Sequence, residues 1–290
     1  MESSFHKIME WYRLVVDEKA DPRTESWPLV YSPWTPIGTA MLYVLFCSNV
    51  RQYMAKMPTY HIRPALVTYN MMMVALSCYM TYEFFVTAYK SGYNLLCQAV
   101  DFAPNPLPIR MASVCWVYYA SKYVELLETV MFALRKKYSQ ITFLHVYHHT
   151  SMIFIWWMGV KYCAGGQTFL FGGINSFVHA VMYTYYGLSA IGPHMQKYLW
   201  WKKYITVLQL SQFVILFFYC IRSLTTGCGY AAWMCTLNIG YAISLLLLFL
   251  NFYFQAYIYR KSATKKQKGT AVTNGVAKNG AVANGNLKHD

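Results

Sequence analysis

Seven predominantly apolar runs, separated by short polar connectors, dominate the pattern of the chain. The runs predict helices at residues 37–50, continuing up to Arg51, and at 65–89, 111–134, 141–160, 169–191, 204–224 and 231–259. The third run would score poorly on hydropathy alone, because it contains Lys122, Glu125 and Glu128. The pattern therefore predicts an all-α polytopic membrane protein in which seven transmembrane helices enclose a substrate tunnel with a polar head.

Two polar regions flank this predicted domain, which covers residues 34–260. Residues 1–33 carry mixed charges and contain no apolar core, so we expect no cleavable signal peptide and assign targeting to the first helix. Beyond the last helix, residues 261–290 become rich in Gly, Asn, Ala and Val and contain no aromatic residue. This composition predicts a disordered tail.

Lysine and arginine alternate in number from one connector to the next, which predicts the orientation of the chain. Three connectors carry three basic residues each: Arg51, Lys56 and Arg63; Arg135, Lys136 and Lys137; Lys197, Lys202 and Lys203. The intervening connectors carry one or two. Because basic connectors stay in the cytosol, we expect a luminal N-terminus and a cytosolic C-terminus.

Cys97 and Cys228 then both fall in predicted luminal connectors, where oxidising conditions permit pairing. We therefore predict a disulfide between them. The eight cysteines include no CxxC pair, which argues against a zinc knuckle.

Composition supports the membrane assignment and argues against nucleic-acid binding. The 290 residues are 57% hydrophobic and 12% charged, whereas about 25% of residues are charged in a soluble domain. The net charge of +14 comes from the connectors and the tail, so it reports topology and does not indicate nucleic-acid binding.

The segment HVYHH places His145, His148 and His149 within five residues of the fourth predicted helix. On a helix the three rings would share one face. One such histidine could merely bond a neighbouring helix. Three together favour a catalytic or binding role, because ionisable groups within a membrane seldom lack one.

Three further predicted helices carry polar residues at helical spacing. The stripes are Lys122, Glu125, Glu128 and Thr129 on the third helix; Asn175, His179, Met182, Tyr183 and Tyr186 on the fifth; and Thr206, Gln209 and Gln212 on the sixth. Each stripe alone could bind helices together. With the histidines they predict one polar cavity. The seventh helix, whose run from Ile243 to Leu250 is almost wholly apolar, is expected to close the bundle.

Four motifs together resemble the ELO family of very-long-chain fatty acid elongases over residues 27–262. They are KYVELLET from Lys122, HVYHH from His145, HAVMYTYY from His179 and TVLQLSQ from Thr206, in the family order. The family commonly has Asp where this chain has Glu128. Gln140, and Tyr147 in place of Trp, resemble the branch that acts on polyunsaturated and very-long chains.

The resemblance implies a condensing enzyme, a very-long-chain 3-oxoacyl-CoA synthase. It would join long-chain acyl-CoA to malonyl-CoA and release 3-ketoacyl-CoA, CO₂ and CoA. A two-stage route through an acyl-histidine would use His148 as acyl carrier. His145, His149 and His179 would orient the malonyl unit, and the carboxylates of Glu125 and Glu128, with Lys122, would fix the histidines or one another.

The same resemblance sets expectations for ligands and location. The CoA phosphates need cations, and the candidates are Arg135, Lys136, Lys137, Lys202, Lys203 and Arg260. We expect no metal and no cofactor beyond the two CoA substrates. Membrane lipid, the reductases and dehydratase of the elongation cycle and a second copy of the chain are the expected partners, in the endoplasmic reticulum membrane.

Two other functions fit parts of the same pattern. A membrane di-iron desaturase or hydroxylase also uses HxxHH boxes, but such enzymes need about eight histidines, and only four of the eight here lie in predicted helices. A seven-helix receptor or transporter would fit the helix count and the external N-terminus. The polar stripes near the cytosolic half suit a catalytic chamber better.

Overall fold

The structure is a computed structural model, and it describes residues 6–7, 9–10 and 12–259. Seven α-helices of 20 residues or more account for most of this part of the chain. They are α1 (Trp34–Ala55), α2 (Arg63–Lys90), α3 (Pro106–Leu134), α4 (Phe143–Tyr162), α5 (Thr168–Ile191), α6 (Lys202–Thr225) and α7 (Ala232–Tyr253). Within the described residues there is no β-strand. Arg260 and the predicted tail 261–290 lie outside them.

Shorter helical segments complete the fold. A π-helical segment, Arg13–Glu18, precedes α1, and a second one, Phe254–Tyr259, continues α7 to the end of the described chain. Short 3₁₀ turns occupy Tyr138–Gln140 and Pro193–Tyr198. The predicted runs therefore lie on the observed helices, although α1 extends beyond its apolar run at both ends.

Three helices have the length and composition of membrane spans, which identifies the chain as a membrane protein. They are α2, α6 and α7, the last counted through Ile258. α3 is not among them, as hydropathy predicts from its charged residues, but the structure buries those side chains inside the bundle. Lys122 and Glu125 are each 1% exposed.

The position of α3 explains how it hides these charges. It contacts α1, α2, α4 and α5, so protein rather than solvent or lipid covers most of its surface. The most extensive contact in the bundle joins α2 to α5. There the ring of Phe84 packs directly against Gly172. A Cβ added at Gly172 would lie only 2.3 Å from Cζ of Phe84. A small residue on α5 thus permits close helix packing.

The two ends of the bundle differ in chemistry. At the end named here the basic end, the connectors 56–62, 135–142 and 192–201 gather, and the Tyr60 backbone N–H donates to the Leu134 carbonyl over 3.0 Å. At the opposite, disulfide end, Cys97 and Cys228 are bonded. This is the pair that the sequence predicts.

The segment before α1 packs onto the disulfide end. The Asp21 N–H donates to the Lys161 carbonyl over 2.7 Å, and the Thr24 hydroxyl donates to the Val160 carbonyl over 2.6 Å. The Arg23 guanidinium pairs with Asp21 and donates to the Ala164 carbonyl. Although the stretch is polar in sequence, these buried bonds make residues 21–24 part of the bundle.

Candidate active site

A buried ionic cluster on α3 lies at the centre of the site. Lys122 Nζ donates to Glu125 Oε1 over 2.6 Å, and His179 Nδ1, on α5, lies 3.4 Å from the same oxygen. The ammonium also lies 4.0 Å from the centre of the Tyr118 ring. A buried ammonium and carboxylate stabilise each other only when paired, so Glu125 holds both Lys122 and His179 in position.

A second polar chain fixes the beginning of α4. Thr142 caps the helix, because its hydroxyl accepts from the His145 backbone N–H over 3.2 Å. The His145 ring Nε2 lies 2.8 Å from Thr129 Oγ1 of α3, and that hydroxyl lies 2.8 Å from Tyr43 Oη of α1. The orientation of His145 is therefore set by residues of two other helices.

The three histidines of HVYHH divide between two sides of α4. The rings of His145 and His149 lie 4.4 Å apart, and the Tyr43 ring lies 6.2 Å from that of His149, on the side facing α1 and α3. His148 instead lines a large cavity toward α6 and α7. The expectation of a single shared face is thus too simple.

This cavity, named here the apolar cavity, is formed by α3 to α7 and the connector before α7, and it contains about 680 Å³ of empty space, part of which is open to the surroundings. Ligand sites are typically concave and lined mainly by apolar side chains with a few polar groups. Its apolar lining includes Met152, Ile155, Trp156, Phe171, Phe213, Leu216, Met234 and Leu245. A long alkyl chain is the kind of ligand that such a lining accepts.

Polar groups line the apolar cavity at a few points. They are Tyr118, His148, Thr168, Asn175, Gln212, Tyr230, Asn238 and Tyr241. The Tyr118 hydroxyl donates to Asn175 Oδ1, and Ser151 donates to Tyr241 Oη over 3.0 Å. Asn175 and Gln212 were predicted from sequence.

Tyr118, Asn238 and Tyr241 were not predicted to belong to the site. The sequence predicts that α7 closes the bundle with an apolar face, yet Asn238 and Tyr241 both line the apolar cavity. The two residues are three positions apart and so lie on one face of α7, and this spacing could have identified them.

Other predicted residues occupy different places. The Tyr183 ring lies 5.7 Å from that of His179, beside the ionic cluster. Gln209 donates to Met182 Sδ over 3.6 Å, and neither residue lines the apolar cavity. Tyr186 is 37% exposed, and its ring lies 6.2 Å from that of Tyr183. Its assignment to the polar cavity stays a prediction.

Two buried polar atoms beside the cluster have no hydrogen-bond partner within the described chain. They are Glu125 Oε2 and the Tyr183 hydroxyl. Buried polar atoms are nearly always bonded. One acceptor and one hydroxyl are therefore available for a bound molecule next to His179.

Glu128, His145 and His149 present ligand atoms that all lie within 4.8 Å of one another. Two histidines and a carboxylate form a donor set that suits several divalent metals. Thr129 already contacts Nε2 of His145. The expectation that the protein holds no metal stays a prediction.

The basic residues assigned to CoA lie at the basic end but do not form one cluster. Arg135 lines a second cavity there. Lys136 has a positive φ of 53° and ends α3, with its N–H donating to the Ala133 carbonyl over 2.9 Å. Lys137, Lys202 and Lys203 are exposed.

Comparison with known proteins identifies the family of the chain. Residues 28–266 match the GNS1/SUR4 (ELO) family model. The chain is 43% identical over 280 residues to very long chain fatty acid elongase 4 of Homo sapiens, covering 97% of this chain and 88% of that protein.

Two further relatives extend the comparison. Very long chain fatty acid elongase 7 of Rattus norvegicus is 43% identical over 249 residues, covering 82% of this chain and 86% of the relative. Very long chain fatty acid elongase 2 of the same species is 42% identical over 260 residues, covering 90% and 92%. The family model covers residues 28–266, which include all four motifs, and the relatives are 42–43% identical over 82–97% of the chain, so this protein belongs to the ELO family.

Proposed function

We propose that this protein is a condensing enzyme of fatty acid elongation, which joins a long-chain acyl-CoA to malonyl-CoA. The names of its relatives support fatty acid elongation. One structural observation supports the specific chemistry: His148 lines the apolar cavity, and Tyr118, which also lines it, contacts the Lys122 ammonium of the ionic cluster. The imidazole and the ionic cluster thus both border the same apolar cavity.

In the first half-reaction a ring nitrogen of His148 attacks the thioester carbonyl of acyl-CoA. The carbon–sulfur bond breaks, the proton of the acylated imidazole passes to the leaving thiolate, and free CoA departs. The acyl chain now lies in the apolar cavity, joined to His148. Nucleophilic catalysis of this kind divides one difficult acyl transfer into two easier ones.

In the second half-reaction malonyl-CoA loses CO₂ as its carbon–carbon bond breaks. The resulting enolate carbon attacks the acyl carbonyl, the bond to His148 breaks, and the imidazole takes up a proton. The products are 3-ketoacyl-CoA and the original enzyme. His179 and the unpaired Tyr183 hydroxyl are placed to donate to the enolate oxygen.

His145 and His149 form a second pair of imidazoles, next to His148 in the sequence. Thr129 and Tyr43 orient His145, whose ring packs against His149. We propose that this pair positions the malonyl carboxylate until it leaves as CO₂. No metal or organic cofactor takes part.

The direct test supplies purified protein with labelled malonyl-CoA and a series of long-chain and very-long-chain acyl-CoAs. Label in a 3-ketoacyl product is expected. Its absence with every acyl-CoA would contradict the proposal. Products from cells fed defined polyunsaturated acids test the further proposal that polyunsaturated and very-long chains are preferred.

A second candidate function rests on the donor set of Glu128, His145 and His149. With iron bound, this set would favour a membrane oxygenase. Metal analysis of purified protein separates the two: stoichiometric iron supports the oxygenase, and condensation by metal-free protein supports the elongase.

We further propose that all seven helices span the endoplasmic reticulum membrane, with the basic end cytosolic and the disulfide end luminal. The excess of Lys and Arg at one end and the disulfide at the other support this orientation. The reductases and dehydratase of the elongation cycle, and a second copy of the chain, are the proposed partners. Protease protection of tags in microsomes tests the orientation.

A further inference from the structure

Four of the eight cysteines and one glutamine meet at the disulfide end in a group named here the sulfur network. Besides the bonded pair Cys97–Cys228 and Gln167, it contains the free thiols of Cys220 on α6 and Cys235 on α7. These two thiols share a hydrogen bond, and their side chains are 1% and 0% exposed. The sequence has no CxxC pair, so the packing of α6 against α7 brings the thiols together.

The side chain of Gln167, just before α5, connects the free thiols to the disulfide. Its Nε2 donates to Cys228 Sγ over 3.2 Å, and its Oε1 lies 3.7 Å from Cys235 Sγ. Gln167 is buried, and within the described chain its amide has only these two sulfur partners. One side-chain amide thus separates the Cys235 thiol from a sulfur of the disulfide.

Packing alone does not account for Gln167. A free cysteine often serves as a small apolar residue in a core, and an apolar side chain would suit such surroundings. Burying an amide costs free energy unless hydrogen bonds compensate, and sulfur is a weak donor and a weak acceptor. What the amide of Gln167 does achieve is to fix the positions of two sulfur atoms relative to each other.

The connector between α6 and α7 brings Cys228 to this place. The Cys228 N–H donates to the Ser223 carbonyl over 3.1 Å, so the connector folds back onto the last turn of α6. The Ser223 hydroxyl lies 3.5 Å from Cys235 Sγ. Ser223 therefore contacts the bonded cysteine through its backbone and the free cysteine through its side chain.

The two cysteine pairs differ in their access to solvent. Cys97 is half-buried, whereas Cys220 and Cys235 are enclosed by the bundle. A small dissolved disulfide such as oxidised glutathione can therefore reach Cys97 more readily than either free thiol. The route by which an oxidant reaches the buried pair passes through the existing disulfide.

From this arrangement we propose that Cys220 and Cys235 form a thiol–disulfide exchange site that accepts the bond of Cys97–Cys228. First, Cys235 Sγ attacks Cys228 Sγ, the bond to Cys97 breaks, and the Cys235 proton passes to the Cys97 sulfur. Next, Cys220 Sγ attacks Cys235 Sγ, the bond to Cys228 breaks, and the Cys220 proton passes to the Cys228 sulfur. Two thiols are consumed and two are formed, so the exchange itself requires no oxidant.

Exchange moves a covalent link to the wall of the apolar cavity. The present disulfide joins two connectors, whereas a bond between Cys220 and Cys235 joins α6 directly to α7. Leu216, one turn before Cys220, and Met234, next to Cys235, both line the apolar cavity. The exchanged form therefore fixes the separation of two helices beside this cavity. A small-molecule disulfide can then restore the first bond and is itself reduced to two thiols.

The test follows both cysteine pairs in purified full-length protein after addition of oxidised glutathione. Acid quenching, alkylation of free thiols in denaturant and mass spectrometry of chymotryptic peptides identify each bond. We expect a Cys220–Cys235 disulfide to form in the wild type. In Cys97→Ala/Cys228→Ala its formation should slow about tenfold or more, because exchange depends on access to the sulfur that is attacked.

Cys220→Ser isolates the first step of the exchange, since it retains the attacking Cys235 and the disulfide. A maleimide added to the native protein should alkylate Cys97 as it is released and leave a Cys228–Cys235 bond. Cys220→Ser/Cys235→Ser should not release Cys97. Cys115→Ala is the matched control for the oxidation assay, because it removes an equally buried free thiol outside the sulfur network and should behave as the wild type.

Three results would overturn the proposal. The first is a wild type in which Cys220 and Cys235 stay reduced at every ratio of oxidised to reduced glutathione. The second is equally fast oxidation of this pair in Cys97→Ala/Cys228→Ala, which would mean direct attack by the oxidant. If that variant fails to fold, the maleimide assay decides: equal labelling of Cys97 with and without Cys235 contradicts the exchange, and labelling that requires Cys235 supports it.

Discussion

His148 and His149 are adjacent in the chain, with ring centroids 5.3 Å apart, but their imidazoles face different parts of the protein. His149 packs against His145 beside α1 and α3, whereas His148 lines the apolar cavity. This division assigns different tasks to residues that a sequence motif presents as one unit. His148 can meet an acyl chain, and the other two can act on the second substrate.

The chain from Tyr43 through Thr129 to His145 should contribute to catalysis by orientation. Replacing Thr129 by Val keeps the shape and removes the hydroxyl that contacts both partners. We expect kcat to fall about tenfold, which corresponds to the loss of roughly 1.4 kcal/mol of stabilisation from one hydrogen bond. Steady-state kinetics should show little change in KM, and Thr129→Ser should restore most of the rate.

Thr87→Val is the control for this substitution. Thr87 is fully buried, and its hydroxyl has no partner in the described part of the chain. Activity should be unchanged. A Thr129→Val enzyme as active as this control would show that the hydroxyl does not orient His145.

Glu125 should support both the fold and the reaction. Glu125→Gln leaves the Lys122 ammonium without its carboxylate, and breaking a buried ion pair reduces the free energy of unfolding by about 3–5 kcal/mol. The double variant Lys122→Met/Glu125→Gln should regain much of this stability in thermal unfolding. It should stay inactive, because His179 still lacks its carboxylate partner.

Glu83→Gln is the matched comparison, since it breaks the pair of Glu83 with Arg110, whose side chain is 36% exposed. A smaller loss, about 1 kcal/mol or less, is expected there with activity retained. Recovery of activity in the double variant would mean that Glu125 serves the fold alone.

The volume of the apolar cavity should limit the length of the acyl chain. Gly159 lines this cavity, and a Cβ added there would meet only ordinary contact, 3.7 Å from Met234 Cε. Gly159→Ala should therefore fold, and the larger Gly159→Leu should shift the product profile severalfold toward shorter chains, as measured by mass spectrometry of elongated acyl groups. Gly240→Leu, where an added Cβ has nothing within 4 Å, should leave the profile unchanged. An unchanged profile for both variants would exclude this cavity as the acyl site.

The Cys97–Cys228 bond should stabilise the disulfide end without taking part in condensation. It joins residues 131 positions apart. Removing it by Cys97→Ala/Cys228→Ala should reduce the free energy of unfolding by about 2–4 kcal/mol. Cys78→Ala, at an exposed free cysteine, is the neutral control. A non-reducing peptide map in which both thiols are free would refute the pairing.

The length of the apolar runs predicted where the helices lie, because a helix that crosses a membrane needs about 20 mostly apolar residues. It could not predict the partner of each polar side chain. Three histidines at i, i+3 and i+4 share a broad face, yet which of them meets Thr129 and which meets the cavity depends on how α1, α3 and α7 pack around α4. Tertiary contacts alone decide this.

The same limitation applies to α7. The apolar run from Ile243 to Leu250 favours a helix that closes the bundle, and it gives no sign that Asn238 and Tyr241, one to two turns earlier, face the apolar cavity. Sequence spacing does not indicate which face of an apolar helix meets a cavity.

The central claim is that His148 carries the acyl chain. The most direct measurement is the intact mass of protein incubated with acyl-CoA alone, for the wild type and for His148→Ala, with His149→Ala as comparison. We predict an adduct with the mass of one acyl group on the wild type and on His149→Ala, and none on a folded His148→Ala protein. An adduct retained by His148→Ala would contradict the account and assign the acyl chain to another residue.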